Sequence, residues 1–466
     1  MDTFAIRCNV LKLAFSGQLS QHEVEDGAID DLLKRVNPNR EIKQSKAGPY
    51  EIPENWAWVK LEDLYEINPK VEAADDTDAA FIPMERINAG FSDSFTFEVQ
   101  KWSAASKNHT RFADGDVAFA KISPCFENRK SFIATGLPNG IGGGTTELII
   151  LRQKEMLPRF TYYVTLDQRF IHEGVASYKG TVGQQRVKSD VIKNYMVAVP
   201  PKEEQQRIIE KIESIFSALD TIDTLQSQYQ DNLATLKSKI IDAGIQGKLT
   251  EQLPEDGNAE ELYQQIQREK LALEKAGKIK KSKPLPPISD EEKPFDIPDN
   301  WKWVRLADVY EINPKVNADD NINAAFIPME RISAGFDRSF SYVVQKWSEA
   351  SKNHTRFCDG DVAFAKISPC FENRKSFVVE NLPNSLGGGT TELIILRQKL
   401  IDPLFTYYLI LDERFIRLGL STYKGTVGQQ RIKNDVMFAY VFPLPPLAEQ
   451  KRIVAKLEEL LPLCEG

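Results

Sequence analysis

The sequence contains a long internal repeat, which constrains the fold more than any other feature. Shifting the chain by 245 residues aligns Glu51–Pro200 on Asp296–Pro445 without a gap, and 104 of the 150 aligned positions are identical. All six tryptophans pair in this alignment. A period of this length is too long for a solenoid and predicts two complete domains with the same fold.

The segment Glu203–Ile241 predicts one long helix. No Pro or Gly interrupts it, and about 40 residues at roughly 1.5 Å each give a rod of about 60 Å. Its seam positions recur at alternating steps of four and three, which requires a partner helix. These positions are Ile208, Ile212, Ile215, Leu219, Ile222, Gln226, Tyr229, Leu233, Leu236 and Ile240.

The partner helix is predicted to come from the two ends of the chain. Ile208 and Ile212 align with Ile453 and Leu457, but the second copy stops at Gly466. Met1–Ser20 aligns with Asp231–Thr250 at an offset of 230. We therefore predict two homologous mixed α/β domains separated by a long antiparallel coiled-coil helix pair, in a pseudo-twofold, circularly organised chain.

This organisation predicts seven segments. They are 1–20 (N-terminal half of the second spacer helix), 21–47 (linker), 48–200 (first repeat domain), 201–250 (central spacer helix), 251–292 (linker), 293–445 (second repeat domain) and 446–466 (C-terminal spacer helix segment). Within the first domain, 117–122 and 148–151 are predicted strands, and 160–170 and 187–193 are predicted helices.

Composition and motifs exclude several classes of protein. The net charge is −8, so any surface that binds an anionic ligand is local rather than global. No apolar run approaches the 18 residues of a membrane helix, which predicts a cytoplasmic location without membrane contact. The five cysteines form no CxxC pair, and Gly142–Thr146 lacks the lysine of a phosphate-binding loop.

Candidate catalytic groups are sparse. Asp114, Asp116 and Lys121 loosely suggest a metal nuclease, but their spacing is wrong and a turn before a strand is the simpler interpretation. His109 and Glu147 could act as acid–base groups, but nothing places a nucleophile near them. We predict no catalytic residue, no metal site and no bound cofactor in this chain.

Two cationic, polar segments in each repeat are candidate nucleic-acid-binding loops. Lys101–Lys130 mixes Lys and Arg with Asn, His and Ser, and its copy Lys346–Lys375 differs at two of 30 positions. The second segment, Tyr178–Arg186, combines Gly with Gln and Arg. Lys and Arg suit phosphates and guanine, whereas Asn and Gln suit adenine. A solvated face with a structural turn would have the same composition, but duplication on a twofold scaffold favours DNA half-sites.

The predicted DNA-binding residues occupy equivalent positions in the two repeats. In the first repeat they are Lys101, Lys107, Asn108, His109, Arg111, Lys121, Ser123, Asn128, Arg129, Lys130, Lys179, Thr181, Gln184, Gln185 and Arg186. In the second repeat they are Lys346, Lys352, Asn353, His354, Arg356, Lys366, Ser368, Asn373, Arg374, Lys375, Lys424, Thr426, Gln429, Gln430 and Arg431.

Several of these motifs occur in a known family. Each copy contains Tyr-Lys-Gly-Thr-Val-Gly-Gln-Gln-Arg, and the second copy ends Phe-Pro-Leu-Pro-Pro-Leu-Ala-Glu-Gln-Lys-Arg-Ile at 442–453. With Ile52–Trp56 and Gly115–Phe119, these motifs resemble the specificity subunit of Type I restriction–modification enzymes over essentially the whole chain. The P-P-x-x-E-Q pattern at the start of the helix is typical of that family, although the first copy departs from it at Lys202.

The resemblance implies a non-catalytic DNA-recognition subunit. Its two repeat domains would be target-recognition domains, each reading a few base pairs of a bipartite site in double-stranded DNA. The helices would set the gap and dock two methyltransferase subunits, which would carry S-adenosylmethionine, and a motor–nuclease subunit would add restriction. Alternatives are the specificity subunit of another bipartite methyltransferase–nuclease system, a stand-alone bipartite DNA-binding protein and a purely structural coiled-coil scaffold.

The near-identity of the two repeats also predicts the form of the target. Ser106–Arg111, Lys121–Lys130 and Lys179–Arg186 are identical to their copies. Equal side chains on equal backbones prefer equal bases, with each mismatch costing about 1–3 kcal/mol. Equal reading on a twofold scaffold predicts an inverted repeat with an unspecified gap.

Overall fold

The structure, a computed structural model, describes residues 1–23, 26–27, 29–36, 42–181, 183–279, 285–426 and 428–464. Parts of the two predicted linkers therefore lie outside the described residues. The chain forms two compact units, Met1–Gln226 and Ser227–Gly466. Each unit contains one mixed α/β repeat domain and one pair of helices.

The first unit alternates short strands and helices. Its helices are α1 (Thr3–Phe15), α2 (Ile29–Val36), α3 (Leu61–Leu64), α4 (Trp102–Ala105), α5 (Pro158–Leu166), α6 (Gln168–Ala176), α7 (Ser189–Asn194) and the first half of α8 (Lys202–Ile245). Its strands are β1 (Ala57–Lys60), β2 (Tyr65–Ile67), β3 (Asp78–Ile82), β4 (Glu98–Lys101), β5 (Thr110–Ala113), β6 (Val117–Ala120), β7 (Ser131–Ile133), β8 (Ile141–Gly144), β9 (Leu148–Gln153) and β10 (Met196–Val199).

The second unit repeats this order after the remainder of α8. Its other helices are α9 (Ala259–Lys275), α10 (Leu306–Val309), α11 (Trp347–Ala350), α12 (Pro403–Leu411), α13 (Glu413–Ser421), α14 (Asn434–Phe438) and α15 (Leu447–Leu460). Its strands are β11 (Lys302–Arg305), β12 (Glu311–Ile312), β13 (Asn323–Ile327), β14 (Val343–Lys346), β15 (Thr355–Cys358), β16 (Val362–Ala365), β17 (Ser376–Val378), β18 (Leu386–Gly389), β19 (Leu393–Arg397) and β20 (Val441–Leu444).

Two four-stranded sheets form the body of the first repeat domain. Their strand orders are β4-β3-β8-β5 and β2-β9-β6-β7, and β3 runs parallel to β8 while the other neighbours are antiparallel. Phe112, Ala118, Phe132 and Ile150, which come from both sheets, are fully buried in one apolar core. The second domain has the corresponding orders β14-β13-β18-β15 and β12-β19-β16-β17.

The glycine run in β8 has a packing role. A Cβ atom on Gly143 would lie 1.8 Å from the carbonyl oxygen of Ala105, at the end of α4. Only a residue without a side chain lets this helix rest directly on the strand. Gly388 meets Ala350 in the same way in the second unit. The run is therefore explained by close packing and not by phosphate binding.

The Glu-Gln pair that opens each spacer helix is buried. Glu204 is 0% exposed and accepts hydrogen bonds from Trp56 Nε1 (2.9 Å) and Ser20 Oγ (3.0 Å), with His22 Nδ1 at 2.6 Å. The next residue, Gln205, accepts a bond from the main-chain N–H of Leu157 (3.1 Å). This motif thus ties the spacer helix to the repeat domain and to the segment that follows α1.

The second unit repeats this arrangement. Glu449 is also 0% exposed and accepts bonds from Trp301 Nε1 (2.7 Å) and Thr250 Oγ1 (3.1 Å), and Gln450 accepts one from the N–H of Asp402 (2.9 Å). A buried carboxylate is stable only when donors satisfy it. The tryptophan and the Glu-Gln motif therefore form one hydrogen-bonded unit in each repeat.

Each unit contains an antiparallel helix pair. In the first unit, Thr3 Oγ1 of α1 donates to Asp223 of α8 (2.6 Å), whereas Ser20, beyond the other end of α1, donates to Glu204. In the second unit, Ile241 and Ile245 of α8 pack with Ile453 and Leu457 of α15. The predicted antiparallel pairing is confirmed in both units, with the terminal helices as partners.

The predicted seam is buried over only part of α8. Ile208, Ile212 and Leu219 are at most 5% exposed, but Tyr229 and Leu236 are 54% and 46% exposed. At the start of α1, Thr3 lies beside Asp223, and Gln226 Nε2 donates to the carbonyl of Met1 (3.5 Å) one turn further along α8. Toward the other end, Ile241, Gly244 and Ile245 form the buried face in place of Ile240, because Gly244 allows close contact with Ile453 and Leu457. The predicted seam is therefore buried at Ile208, Ile212 and Leu219 but exposed at Tyr229 and Leu236.

Candidate nucleic-acid interface

The segment Lys179–Arg186 folds as a hairpin on the end of β6. Lys179 and Arg186 face each other as a bridge, and the N–H of Gln184 donates to the carbonyl of Thr181 (2.9 Å). The N–H of Ser123 donates to the carbonyl of Gln185 (2.8 Å). The two cationic segments, which are separated by 47 residues in sequence, therefore meet at the Lys121–Ser123 stretch.

A third segment, the turn Thr145–Glu147, joins the same place. The main-chain N–H of Lys121 donates to the carbonyl of Glu147 (2.8 Å). The side chain of Glu147 accepts two short hydrogen bonds from Arg186, from Nε (2.9 Å) and from Nη2 (2.7 Å). These hydrogen bonds from Arg186 to Glu147 raise the pKa of the Arg186 guanidinium.

The loop Lys107–His109 lies at the same end of the sheet. Thr110, at the start of β5, pairs with Gly144, so this loop and the Thr145–Glu147 turn leave the sheet together. His109 Nδ1 lies 3.0 Å from the carbonyl oxygen of Ala105, and its ring packs on Phe81. We call the four segments Lys107–His109, Lys121–Ser123, Thr145–Glu147 and Lys179–Arg186 the loop edge; Val182 lies outside the described residues.

The loop edge exposes polar and cationic groups. Its exposed predicted residues are Lys107, Asn108, Lys179, Thr181, Gln184 and Arg186, whereas His109, Lys121, Ser123 and Gln185 are partly buried. Such a surface offers donors to phosphate oxygens and base edges. Its described residues include no buried nucleophile or general base that would suggest catalysis.

The second unit presents the same loop edge. Lys424 bridges Arg431, the N–H of Ser368 donates to the carbonyl of Gln430 (2.8 Å), and Arg431 Nη2 donates to Glu392 (2.7 Å). The hydrogen bond from Arg431 lowers the pKa of Glu392. Lys352, Asn353, His354, Lys366, Thr426 and Gln429 occupy the remaining equivalent positions.

The structure buries Arg129, which the sequence analysis predicts to contact DNA. Its side chain is 4% exposed, Nε donates to the carbonyl of Leu166 (2.9 Å), and its guanidinium lies 4.9 Å from the ring centre of Phe4. A group in this environment cannot reach DNA, so the assignment of Arg129 to DNA contact is wrong. Arg129 also adopts a φ of +55°, and no sequence signal marks that conformation.

Arg374 and two lysines are also held by the protein. Arg374 Nη2 donates to Glu413 (2.5 Å) and its guanidinium lies 5.3 Å from the ring centre of Phe336. Lys130 and Lys375 donate to the carbonyls of Met84 (2.8 Å) and Met329 (2.9 Å). Asn128 and Asn373, on the same loop, are exposed but belong to none of the four segments of the loop edge.

The remaining predicted residues belong to none of the four segments of the loop edge. Lys101 pairs with Asp78 (2.7 Å) at the opposite end of the sheet, and Lys346 donates to Asn323 (3.0 Å) in the second unit. Arg111 and Arg356 lie over the rings of Trp102 and Trp347, at 5.7 and 5.9 Å. The structure thus brings together about two thirds of each predicted set.

The acidic residues beside β6 have structural partners. Asp116 is 2% exposed and accepts two bonds of 2.7 Å from Arg152, and Asp114 accepts one from the N–H of Leu137 (3.1 Å). In the described part of the chain, no group of three potential ligand side chains could hold a metal ion. No described helix is both long and apolar enough to cross a membrane. Asp114 therefore lies in the turn before β6, and Asp116 forms an ion pair with Arg152.

Comparison with known proteins identifies the family. The family model described as the Type I restriction modification DNA specificity domain matches twice, at residues 53–229 and 298–464. The chain belongs to this family. Specificity subunits are the recognition subunits of Type I systems and are not catalytic, which confirms the predicted resemblance and the non-enzymatic role.

Curated relatives match over nearly the full chain. The specificity subunit of the Type I restriction enzyme EcoAI from Escherichia coli is 30% identical, over 98% of this chain and 88% of the relative. The EcoEI specificity subunit from Escherichia coli is 28% identical over the same shares. A solved chain from work on complex assembly and conformational transition of the type I system aligns with a TM-score of 0.61 and 18% identity, over 89% of this chain and 92% of that one. That structure supports the fold.

Proposed function

We propose that this chain reads a bipartite DNA site, with one loop edge on each half-site. The observation that carries the proposal is the duplicated loop edge, in which Lys121–Ser123 and Lys179–Arg186 recur without change at Lys366–Ser368 and Lys424–Arg431. Both copies keep the same main-chain bridges and the same Arg–Glu pair. Two equal polar, cationic edges suit two copies of one short DNA sequence.

Membership of the family implies partner proteins in the same complex. We assign two methyltransferase subunits, one to each helix pair, because each unit has its own antiparallel pair with exposed polar faces. S-adenosylmethionine would be bound by those subunits. A motor–nuclease subunit would add restriction, and the cytoplasmic location of the complex stays a prediction.

The target is proposed to be an inverted repeat. Equal loop edges read equal bases, and the circular order of the helices places a terminal helix against each part of α8 in the same antiparallel sense. In the first unit α8 packs against α1, and in the second unit it packs against α15. Segments that differ between copies, such as Asp93–Glu98 and Arg338–Val343, mark where the half-sites would differ if they contact bases.

Methylation mapping tests this proposal. The chain is expressed with its methyltransferase subunit in a host that lacks adenine methylation, and methylated adenines are mapped by sequencing. The expected motif is one short sequence, an unspecified gap, and the reverse complement of that sequence. Two unrelated half-sites would contradict equal reading, and methylation that does not depend on this chain would contradict its role in specificity. The matched control omits only this chain.

A further inference from the structure

The hydrogen bonds of Arg186 leave part of its guanidinium free. A guanidinium has five N–H donors. Arg186 directs Nε and one Nη2 donor to Glu147, and Nη1 to the carbonyl of Gln184 (3.2 Å), which leaves one donor on each terminal nitrogen. The Arg186 side chain is 47% exposed. The two remaining donors match a pair of acceptors such as O6 and N7 of guanine, or two phosphate oxygens.

The position of Glu147 fixes this arginine before any ligand binds. The N–H of Glu147 donates to Thr145 Oγ1 (3.2 Å), and its carbonyl accepts from Lys121. Its carboxylate then holds two of the three nitrogens of Arg186. Because little rotamer freedom remains to be lost, a directional contact by this arginine costs less entropy than one by a free side chain.

The charge balance favours a base over a phosphate. The carboxylate of Glu147 neutralises Arg186 at a distance of 2.7 Å, so the pair adds little to the attraction of a polyanion. Among the described residues, Lys107 and Lys179 of the loop edge form no ion pair with a carboxylate; both are exposed and suit phosphates better. A neutralised, immobilised arginine retains its hydrogen-bonding directions, which is what base reading requires.

The second unit contains the same arrangement. Arg431 donates from Nε (2.9 Å) and Nη2 (2.7 Å) to Glu392 and from Nη1 to the carbonyl of Gln429 (3.4 Å). Its side chain is 49% exposed. Resting on the proposed function, we propose that Arg186 and Arg431 each read one guanine of a half-site, and that Glu147 and Glu392 are the positioning residues of this contact.

The test replaces one acceptor atom on DNA. Duplexes carrying the mapped site are made with each guanine in turn changed to 7-deazaguanine, which lacks the N7 acceptor. Affinity of the complete complex is measured by fluorescence anisotropy. We expect one guanine in each half-site at which affinity falls roughly 5- to 100-fold. This comparison uses the unaltered protein, so it does not depend on a variant folding.

Variants then assign the contact to these residues. The R186A/R431A complex is expected to be indifferent to 7-deazaguanine at the same positions and to lose its preference for guanine over adenine there. Its salt slope, the dependence of log affinity on log salt concentration, should match that of the unaltered complex. K179A/K424A should lower this slope by roughly one for each phosphate that a lysine no longer contacts. E147Q/E392Q should strengthen binding to unrelated DNA and weaken discrimination, because it leaves the arginine charge unbalanced.

Each other outcome overturns the inference. Indifference of the unaltered complex at every guanine, or a half-site without guanine, excludes guanine reading. A uniform loss of affinity on all sequences in R186A/R431A, with a lower salt slope, shows a phosphate contact instead. Failure of the unaltered complex to prefer its mapped site over unrelated DNA would overturn the proposed function as well, and is distinct from the first two results.

Discussion

At the scale of single residues, arginines that are identical in the two repeats lie in two different environments. Arg129 and Arg186 belong to motifs that are unchanged between the two repeats, yet Arg129 is 4% exposed and Arg186 lies on the surface. Identity between the two copies therefore extends to buried packing groups as well as to exposed groups proposed to contact DNA. Arg129 stacks on Phe4 and donates to the carbonyl of Leu166, which joins the loop after β6 to α1 and α5.

Replacing Arg129 by Ala is expected to lower stability without changing how DNA is held. The change leaves the carbonyl of Leu166 without its donor and removes packing on Phe4, a loss of about 1–3 kcal/mol. Unfolding in urea measures it, and the salt slope of DNA binding should stay constant. R186A is the matched control: it should leave stability within about 0.5 kcal/mol. A lower salt slope in R129A would return Arg129 to the DNA-contacting set.

At the scale of elements, local pattern predicted the long helix well and its packing less well. Helix α8 runs from Lys202 to Ile245, against a predicted 203–241. The predicted helix 160–170 is instead two helices that meet at Asp167, which serves as the C-cap of α5 and the N-cap of α6. Periodicity reports that an apolar face exists, but where a partner covers it depends on other parts of the chain.

Charges placed on α8 distinguish its buried and exposed positions. I212D/L219D is expected to unfold the first helix pair and prevent assembly, because it places two uncompensated carboxylates among residues that are at most 5% exposed. The loss of stability should exceed about 3 kcal/mol. Circular dichroism melting and size-exclusion chromatography of the complex measure it. The matched control, Y229D/L236D, alters exposed positions of the same helix and should remain folded; equal loss in both variants would contradict the observed burial.

At the scale of the whole molecule, helices that are structurally equivalent in the two units stand at different places in the order of the chain. The counterpart of α1 in the second unit is the later half of α8, and the counterpart of the first half of α8 is α15. The circular organisation predicted from the two alignments is therefore reproduced inside each unit. Hydrogen bonds to Glu204 and Glu449 connect each repeat domain to its own helix pair. Each unit therefore consists of one repeat domain and the helix pair bonded to it.

Lengthening α8 tests whether it sets the distance between half-sites. Seven residues inserted after Tyr229, which is 54% exposed, add two turns and about 10 Å while nearly preserving the helical phase. We expect unchanged half-sites and a longer gap, by about three base pairs from length alone. Methylation mapping reads both. A seven-residue insertion after Ile288 in the linker is the control and should leave the gap unchanged; an unchanged gap in the α8 variant would exclude a ruler.

The sequence by itself determined the duplicated domains, the long helix with partners from both termini, and the family. These follow from identity at 104 of 150 positions and from apolar periodicity, both of which are local properties of the chain. Tertiary structure decided which cationic residues share a surface. Lys121, Glu147 and Arg186 are brought together by main-chain bonds between distant segments, whereas Arg129 turns inward at a φ of +55°. Composition cannot distinguish these cases, because the direction of a side chain depends on backbone conformation and on neighbours far away in sequence.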